Sequence, residues 1–139
     1  MSEIVVGYDG SRCSKAALEE ACSLAKELGY KVVVVFGYAP GGYGGGEVQT
    51  HREAVEELGE KLTAEADEHA AAAGVEHEVR LLPRKSYHAL VETADELDAR
   101  MIVVGSYGDP PLKGMILGST PNKLLYLAEC PVLVVPTDP

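Results

Sequence analysis

Short apolar runs alternate along the chain with longer stretches in which apolar residues recur every three or four positions. The first pattern is typical of buried strands, and the second of helices that bury one face. Because the two types alternate, we expect an α/β domain whose parallel sheet carries helices on both faces. The predicted strands are residues 3–8, 31–38, 76–82, 100–105 and 132–135. The predicted helices are residues 12–28, 47–73, 86–97 and a last helix from about residue 120.

Individual segments refine this pattern. Four consecutive valines at 32–35 predict a central strand, since a strand buried on both faces is apolar throughout. Residues 76–82 alternate polar and apolar side chains, which favours a peripheral strand. Ser86 is the candidate N-cap of the third helix, and Pro121 suits the first helical position of the last one.

The order of the strands determines where a ligand would bind. Right-handed crossovers and one reversal of strand order give the order 3-2-1-4-5, with strands one and four side by side. Their carboxyl ends then form the crevice in which doubly wound sheets bind ligands. We predict a single five-stranded domain over residues 1–139, with Asp9 facing residues 105–108 across that crevice.

Glycines surround the segment that follows the fourth strand. Gly105 and Gly108 come directly after the apolar run, and Gly118 precedes Ser119 and Thr120 at the start of the last helix. Glycine lets the main chain approach a polyanion, and a helix start offers N–H groups without partners inside the helix. The segment therefore predicts nucleotide binding. The alternative is a plain strand exit followed by a helix cap.

Composition excludes several classes of function. The 139 residues suit one domain, and the formal net charge is −10. Nucleic acids and anionic membranes attract clustered Lys and Arg, so this charge argues against both as partners. No apolar run approaches the roughly 20 residues that cross a bilayer. We expect a soluble, cytoplasmic protein.

Candidate catalytic and metal-ligating residues are few. Three cysteines, an odd number without C-x-x-C spacing, predict buried or half-buried free thiols: Cys13, Cys22 and Cys130. The four histidines have no ligand spacing, and neither a G-x-S-x-G elbow nor a P-loop lysine motif is present. We assign no catalytic residue and do not predict fast nucleotide hydrolysis.

Three sequence features together resemble the universal stress protein family. They are the spacing G-x2-G-x9-G-S from Gly105, the opening Val-Gly-Tyr-Asp-Gly-Ser at residues 6–11, and the ending Cys-Pro-Val-Leu-Val-Val at residues 130–135. The glycine spacing is similar to that of the ATP-binding branch. The resemblance implies a flavodoxin-like domain, usually dimeric, that holds ATP between two loops.

Carried over to this chain, the resemblance implies a set of nucleotide contacts. It assigns ribose and phosphate contacts to Gly105, Ser106 and Gly108, and phosphate contacts to Gly118, Ser119 and Thr120. It places the main chain of Gly37 at the adenine edge. Asp9 matches the family's acidic residue, which would bond the ribose or adenine or share a Mg²⁺ or Mn²⁺ ion with the phosphates. A helix cap is the alternative role of Asp9.

The leading hypothesis is an ATP-binding stress-response regulator that changes conformation or dimer contacts with its nucleotide. Asp109-Pro110-Pro111 and Pro121 depart from the family pattern and favour an alternative, a dimeric interaction module without nucleotide. A slow ATPase is a further alternative. We also expect a homodimer, because Val132–Val135 is an uncharged outer strand whose open edge can pair with a second copy.

Overall fold

A computed structural model of the chain describes residues 2–38, 46–106 and 119–137, with the main chain alone described at 46–52 and 119. Strands and helices alternate along the chain, as the apolar pattern predicts. The strands are β1 (Glu3–Gly7), β2 (Lys31–Gly37), β3 (His77–Leu82), β4 (Met101–Gly105) and β5 (Val132–Val135). The helices are α1 (Arg12–Leu28), α2 (Gly46–Ala73), α3 (Ser86–Leu97) and α4 (Ser119–Leu127).

The described strands form one parallel sheet in the order β3-β2-β1-β4-β5. The predicted fold class and strand order are therefore confirmed. In β1, Ile4 is in register with Val32 on one side and with Met101 on the other. The chain thus reverses its direction of winding between β1 and β4, and their carboxyl ends border a crevice.

Two hydrophobic cores lie on opposite faces of the sheet because successive strand residues point to opposite sides. Along β2, Val32 and Val34 belong to the core under α1 and α2. Val33 and Val35 belong to the core under α3 and α4. The run of valines therefore serves both cores, which explains its unbroken apolar character.

The helix ends confirm some predictions and correct others. Ser11 caps α1, and Gly29 ends it with φ of 72°. Lys85, not Ser86, is the N-cap residue of α3, because the N–H of Ala89 bonds to the Lys85 carbonyl and Ser86 is already helical. Pro121 is the third residue of α4 instead of the first. It fits there because N–H groups of the first turn have no partner inside the helix.

α2 is the longest described helix and extends over 28 residues. Its length alone would suffice to cross a bilayer. It carries many charged side chains, however, and among the described helices none is both long and apolar enough to span a membrane.

Candidate functional site

A cavity of about 260 Å³ lies at the carboxyl ends of β1, β2 and β4. The first turns of α1, α3 and α4 complete its walls. Its lining combines main-chain groups, hydroxyls, apolar side chains and one carboxylate: Gly7, Tyr8, Asp9, Ser11, Ser14, Gly37, Ser86, Leu90, Val104, Gly105, Thr120 and Pro121. The topology of the sheet thus produces a cavity at the predicted crevice.

The structure brings together part of the predicted site. Asp9, Gly37, Gly105 and Thr120 all line the cavity, although they come from distant parts of the chain. Ser106 does not line it: the residue is buried beside β4, and its N–H donates to the carbonyl of Val135 at 3.2 Å.

Other predicted contacts lie in or next to the segment 107–118. Gly108 and Gly118 fall outside the described residues, as does the departure Asp109-Pro110-Pro111. Ser119 begins α4, and its side chain is not described. The phosphate contacts predicted for this loop therefore remain predictions.

The loop between β1 and α1 is held by a closed set of short hydrogen bonds. The Ser11 N–H donates to Asp9 Oδ1 at 2.9 Å, and the Asp9 N–H donates to Ser14 Oγ at 3.2 Å. The Ser14 N–H donates to Ser11 Oγ at 3.2 Å, and the Ser14 hydroxyl donates to the Ser11 carbonyl at 3.0 Å. Ser11 is thus the helix cap. Asp9 makes a tight turn before it, and this bond engages one of the two carboxylate oxygens.

Two cavity glycines are required by helix packing. A Cβ on Gly105 would lie 2.6 Å from the main-chain carbon of Cys13 in α1. A Cβ on Gly37 would lie 2.9 Å from the Arg84 carbonyl oxygen and 2.9 Å from Ser86 Cα. Backbone atoms cannot yield as a flexible side chain can. These glycines therefore let the first turns of α1 and α3 approach the sheet, and that approach shapes the cavity.

Tyr8 forms the boundary between the cavity and the core under α1 and α2. It is 5% exposed, and its hydroxyl donates to Glu65 Oε2 at 3.4 Å. Burial, together with the negative charge of Glu65, raises the pKa of Tyr8 to about 12. The phenol therefore stays protonated across the physiological range.

Several lining residues were not predicted from the sequence. Ser14, Ser86 and Leu90 reach the cavity from the first turns of α1 and α3. Ser11 was visible in the sequence as a helix cap, but nothing in the sequence showed that Ser14 would face the cavity. Val104, a core residue of β4, also lines the cavity.

The electrostatics of the cavity favour a ligand with mixed character. Asp9 is the charged residue in its lining, and the starts of α1, α3 and α4 provide the positive ends of helix dipoles. Leu90, Val104 and Pro121 provide apolar surface. Such a lining suits a molecule that joins a flat apolar ring to polar and anionic groups.

Within the described ranges, no metal-binding cluster adds to the site, and Lys123 of α4 is engaged with an aromatic ring. No group of three or more His, Cys, Asp or Glu side chains gathers there in a way that could hold a metal ion. Lys123 of α4 places its Nζ 4.3 Å from the centroid of the Tyr87 ring. That cation–π contact ties α4 to α3 next to the cavity.

Comparisons with known proteins assign the chain to a family. Residues 1–136 match the sequence profile of the universal stress protein family, Usp. The universal stress protein YxiE of Bacillus subtilis is 34% identical over an alignment of 149 positions, gaps included, which covers 96% of this chain and 98% of the relative. A solved universal stress protein in complex with cAMP has a TM-score of 0.77 at 30% identity and covers 99% of this chain and 98% of its own. The Archaeoglobus fulgidus protein in complex with dAMP has a TM-score of 0.71 at 26% identity, covering 96% and 97%. The chain belongs to the universal stress protein family.

Proposed function

We propose that this protein is a stress-response regulator that binds an adenine nucleotide, with ATP as the first candidate, in the cavity at the carboxyl ends of β1 and β4. The observation that carries the proposal is the convergence of Asp9, Gly37, Gly105 and Thr120 on one cavity. Two similar solved structures contain cAMP and dAMP, which supports an adenine nucleotide as the ligand class.

The lining suggests how each part of the nucleotide is held. Gly37, Leu90 and Val104 would accept the adenine ring, with main-chain groups at its edge. Asp9 would accept hydrogen bonds from ribose hydroxyls through Oδ2, the carboxylate oxygen that is not bonded to the Ser11 N–H. The phosphates would lie towards Gly105 and the start of α4, where N–H groups and the helix dipole favour negative charge.

A divalent cation, Mg²⁺ or Mn²⁺, would arrive with the phosphates. Among the described lining residues Asp9 supplies a single carboxylate, which is too few protein ligands for a dedicated Mg²⁺ or Mn²⁺ site. Mg²⁺ commonly binds through one or two carboxylates plus substrate phosphates. Asp9 would therefore contact the ion only as a partner of a bound triphosphate.

Calorimetric titration of the purified protein with ATP and with AMP, each with and without Mg²⁺, tests the proposal. The informative variant is Asp9→Asn, because the amide oxygen can still accept the Ser11 N–H while the charge is lost. If Asp9 bonds the ribose, AMP and ATP should both bind about 10-fold more weakly to the variant, or about 1.4 kcal/mol. Asp95→Asn, on exposed α3 surface away from the cavity, is the matched control.

The titration, together with an assay of phosphate release, separates the alternatives. A loss confined to ATP with Mg²⁺ would assign Asp9 to the cation. No binding at millimolar nucleotide would overturn nucleotide binding and favour an interaction module. Release of phosphate above the level of a protein-free control would favour a slow ATPase, and we expect none because Asp9, the one carboxylate among the described lining residues, is held by its own loop.

We also propose that the protein forms a homodimer through β5. Among the described strands β5 pairs with β4 alone, so its other edge has no strand partner there. Leu133 is 36% exposed on this strand, and the neighbouring α4 exposes Leu125 and Tyr126 at 59% and 83%. Antiparallel pairing of two β5 strands about a two-fold axis would cover this apolar surface and satisfy the free edge.

A further inference from the structure

A second cavity, of about 270 Å³, lies between α1 and α2 and is separate from the candidate nucleotide site. Its floor is formed by the buried side chains of Tyr8 and Leu18. On its rim, α1 places Lys15 and Glu19, and α2 places Glu65 and His69. Residues four apart share one helix face, so each helix presents one carboxylate and one nitrogen group to the gap.

The rim groups of this cavity do not pair with one another. Within the described ranges, the structure records no ion pair and no side-chain hydrogen bond for Lys15, Glu19 or His69. Lys15 also precedes Glu19, the less favourable order for an ion pair four residues apart in a helix. The structure therefore leaves opposite charges around a gap without joining them.

The same residue types behave differently elsewhere in the protein. On β2 and β3, Lys31 Nζ lies 2.9 Å from Glu78 Oε1, and Arg80 Nε lies 2.9 Å from Glu78 Oε2. Opposite charges that face each other directly in this fold thus do form pairs. The rim charges between α1 and α2, by contrast, have no recorded ion pair among the described residues.

The floor of the cavity leaves Glu65 available to a ligand. The phenol of Tyr8 is almost fully buried, and its contact with Glu65 is 3.4 Å long. O–H···O hydrogen bonds are usually 2.5–3.0 Å long, so the recorded contact is weak. Glu65 can therefore accept hydrogen bonds from a ligand cation, while the aromatic face of Tyr8 and Leu18 provide apolar surface.

We propose that this second cavity is a binding site for a small zwitterion, namely a short aliphatic chain with an ammonium group at one end and a carboxylate at the other. The ammonium pairs with Glu65 and Glu19, and the carboxylate with Lys15. The aliphatic part packs on Leu18 and the Tyr8 ring. The cavity, at about 270 Å³, has room for a short aliphatic chain with a charged group at each end. The proposal does not depend on nucleotide binding.

An NMR titration of the ¹⁵N-labelled protein with γ-aminobutyrate, a simple zwitterion of this kind, tests the site. We expect saturable shifts of amide signals around Leu18 and Glu65. Butylamine and butyrate each retain one charged end and serve as matched probes. Each should bind about 10-fold more weakly, because each loses one charge-assisted contact.

Two variants examine the two ends of the site, and a third serves as the control. Glu65→Gln should weaken γ-aminobutyrate about 10-fold by removing the main partner of the ammonium. Lys15→Gln, which changes an exposed side chain, should weaken butyrate and γ-aminobutyrate but leave butylamine unchanged. Glu60→Gln lies on exposed surface of α2 outside the cavity and should leave all three unchanged.

The outcomes separate this proposal from nucleotide binding. Absence of saturable shifts would overturn it, as would equal affinity in Glu65→Gln or butylamine binding as tightly as γ-aminobutyrate. Shifts confined to Gly37 and Gly105 would place the probe in the first cavity and would overturn it too. Failure of ATP to bind in the calorimetric titration would leave these NMR results unaffected.

Discussion

β3 and β5 are the outer strands of the described sheet, and their chemistry is opposite. β3 carries Glu78 and Arg80, which join Lys31 of β2 and Glu96 of α3 in a chain of ion pairs. β5 is Val132–Val135 and has no charged residue. An open strand edge can pair with another chain, and charged side chains discourage such pairing. The charges of β3 are therefore of the kind that protects a strand edge, and β5 lacks them, which is why we assign the proposed dimer interface to β5.

The helices beside the two strands follow the same division. α2 and α3 bring charged groups to β3, since Asp67 contacts His77 and Glu96 contacts Arg80. α4 instead exposes Leu125 and Tyr126 near β5. At each edge of the sheet the flanking helices thus have the same character as the strand: charged beside β3 and apolar beside β5. This supports the assignment of the proposed dimer interface to β5.

Giving β5 the chemistry of β3 should have the largest effect. Leu133→Lys places a charge in the proposed interface, and we expect the dimer dissociation constant to rise at least about 100-fold, or about 2.7 kcal/mol. Size-exclusion chromatography with light scattering measures the change. Leu58→Lys, on exposed α2 surface at the β3 side, is the control. A monomeric wild type, or a variant that stays dimeric, would contradict the β5 interface.

The reverse exchange should have the next largest effect. Glu78→Val combined with Arg80→Val removes the charges from β3 without changing the net charge, and we expect new association through this edge. Dynamic light scattering over a concentration series should show species larger than the wild-type assembly. Arg84→Ser with Glu92→Ser removes an exposed ion pair outside the strands and provides the control. No larger species would mean that the charges do not protect β3.

A smaller effect is expected from acid. The hydrogen bonds from Arg80 and Lys31 lower the pKa of Glu78 below its usual 4.5. A lowered pKa in the folded state adds stability above the unfolded pKa, and this stability is lost as the pH falls through the folded value. Glu78→Gln should therefore cost about 0.5–1 kcal/mol at neutral pH and less below about pH 4.

Urea unfolding at a series of pH values measures this difference. Glu20→Gln, on exposed α1 surface, should show no comparable pH dependence. If the cost of Glu78→Gln were the same at pH 3 and at pH 7, the ion pairs of β3 would not stabilise the fold in the way described.

The smallest effect concerns His77. Its hydrogen bond to the Val75 carbonyl, followed by the contact with Asp67, raises the pKa of His77 above its usual 6.5. A raised pKa adds stability below the unfolded value, and this stability is lost as the pH rises through the folded value. His77→Gln should cost about 0.5 kcal/mol at pH 6 and less at pH 9, because Asp67 is largely exposed.

Thermal unfolding at the two pH values tests the His77 prediction, with His88→Gln on the exposed surface of α3 as control. An equal cost at pH 6 and pH 9 would show that protonation of His77 contributes nothing. β5 contains no ionisable group, so its contribution should not change over the same range.

The sequence predicted the order of the elements and most boundaries to within a residue, because strand and helix periodicities are local properties. Topology also placed Asp9 and Gly105 at the crevice, because both lie at the carboxyl ends of strands, whereas Gly37 came from the family resemblance; all three line the cavity. The sequence did not reveal Ser86 and Leu90 as cavity residues, because their position depends on how closely α3 approaches the sheet. The gap between α1 and α2 was not predictable, since spacing four apart shows a shared face but not what faces it.

Gly105 has a consequence for how glycine motifs are interpreted. The main chain of Cys13 occupies the space that a side chain at this position would need, so the domain requires glycine here whether or not any ligand binds. A homologous chain that had lost its ligand would keep this glycine for assembly of the fold. The first glycine of such a motif therefore says little about whether a protein binds a ligand. Motif glycines at which an added Cβ would meet no atom of the protein are better evidence of binding.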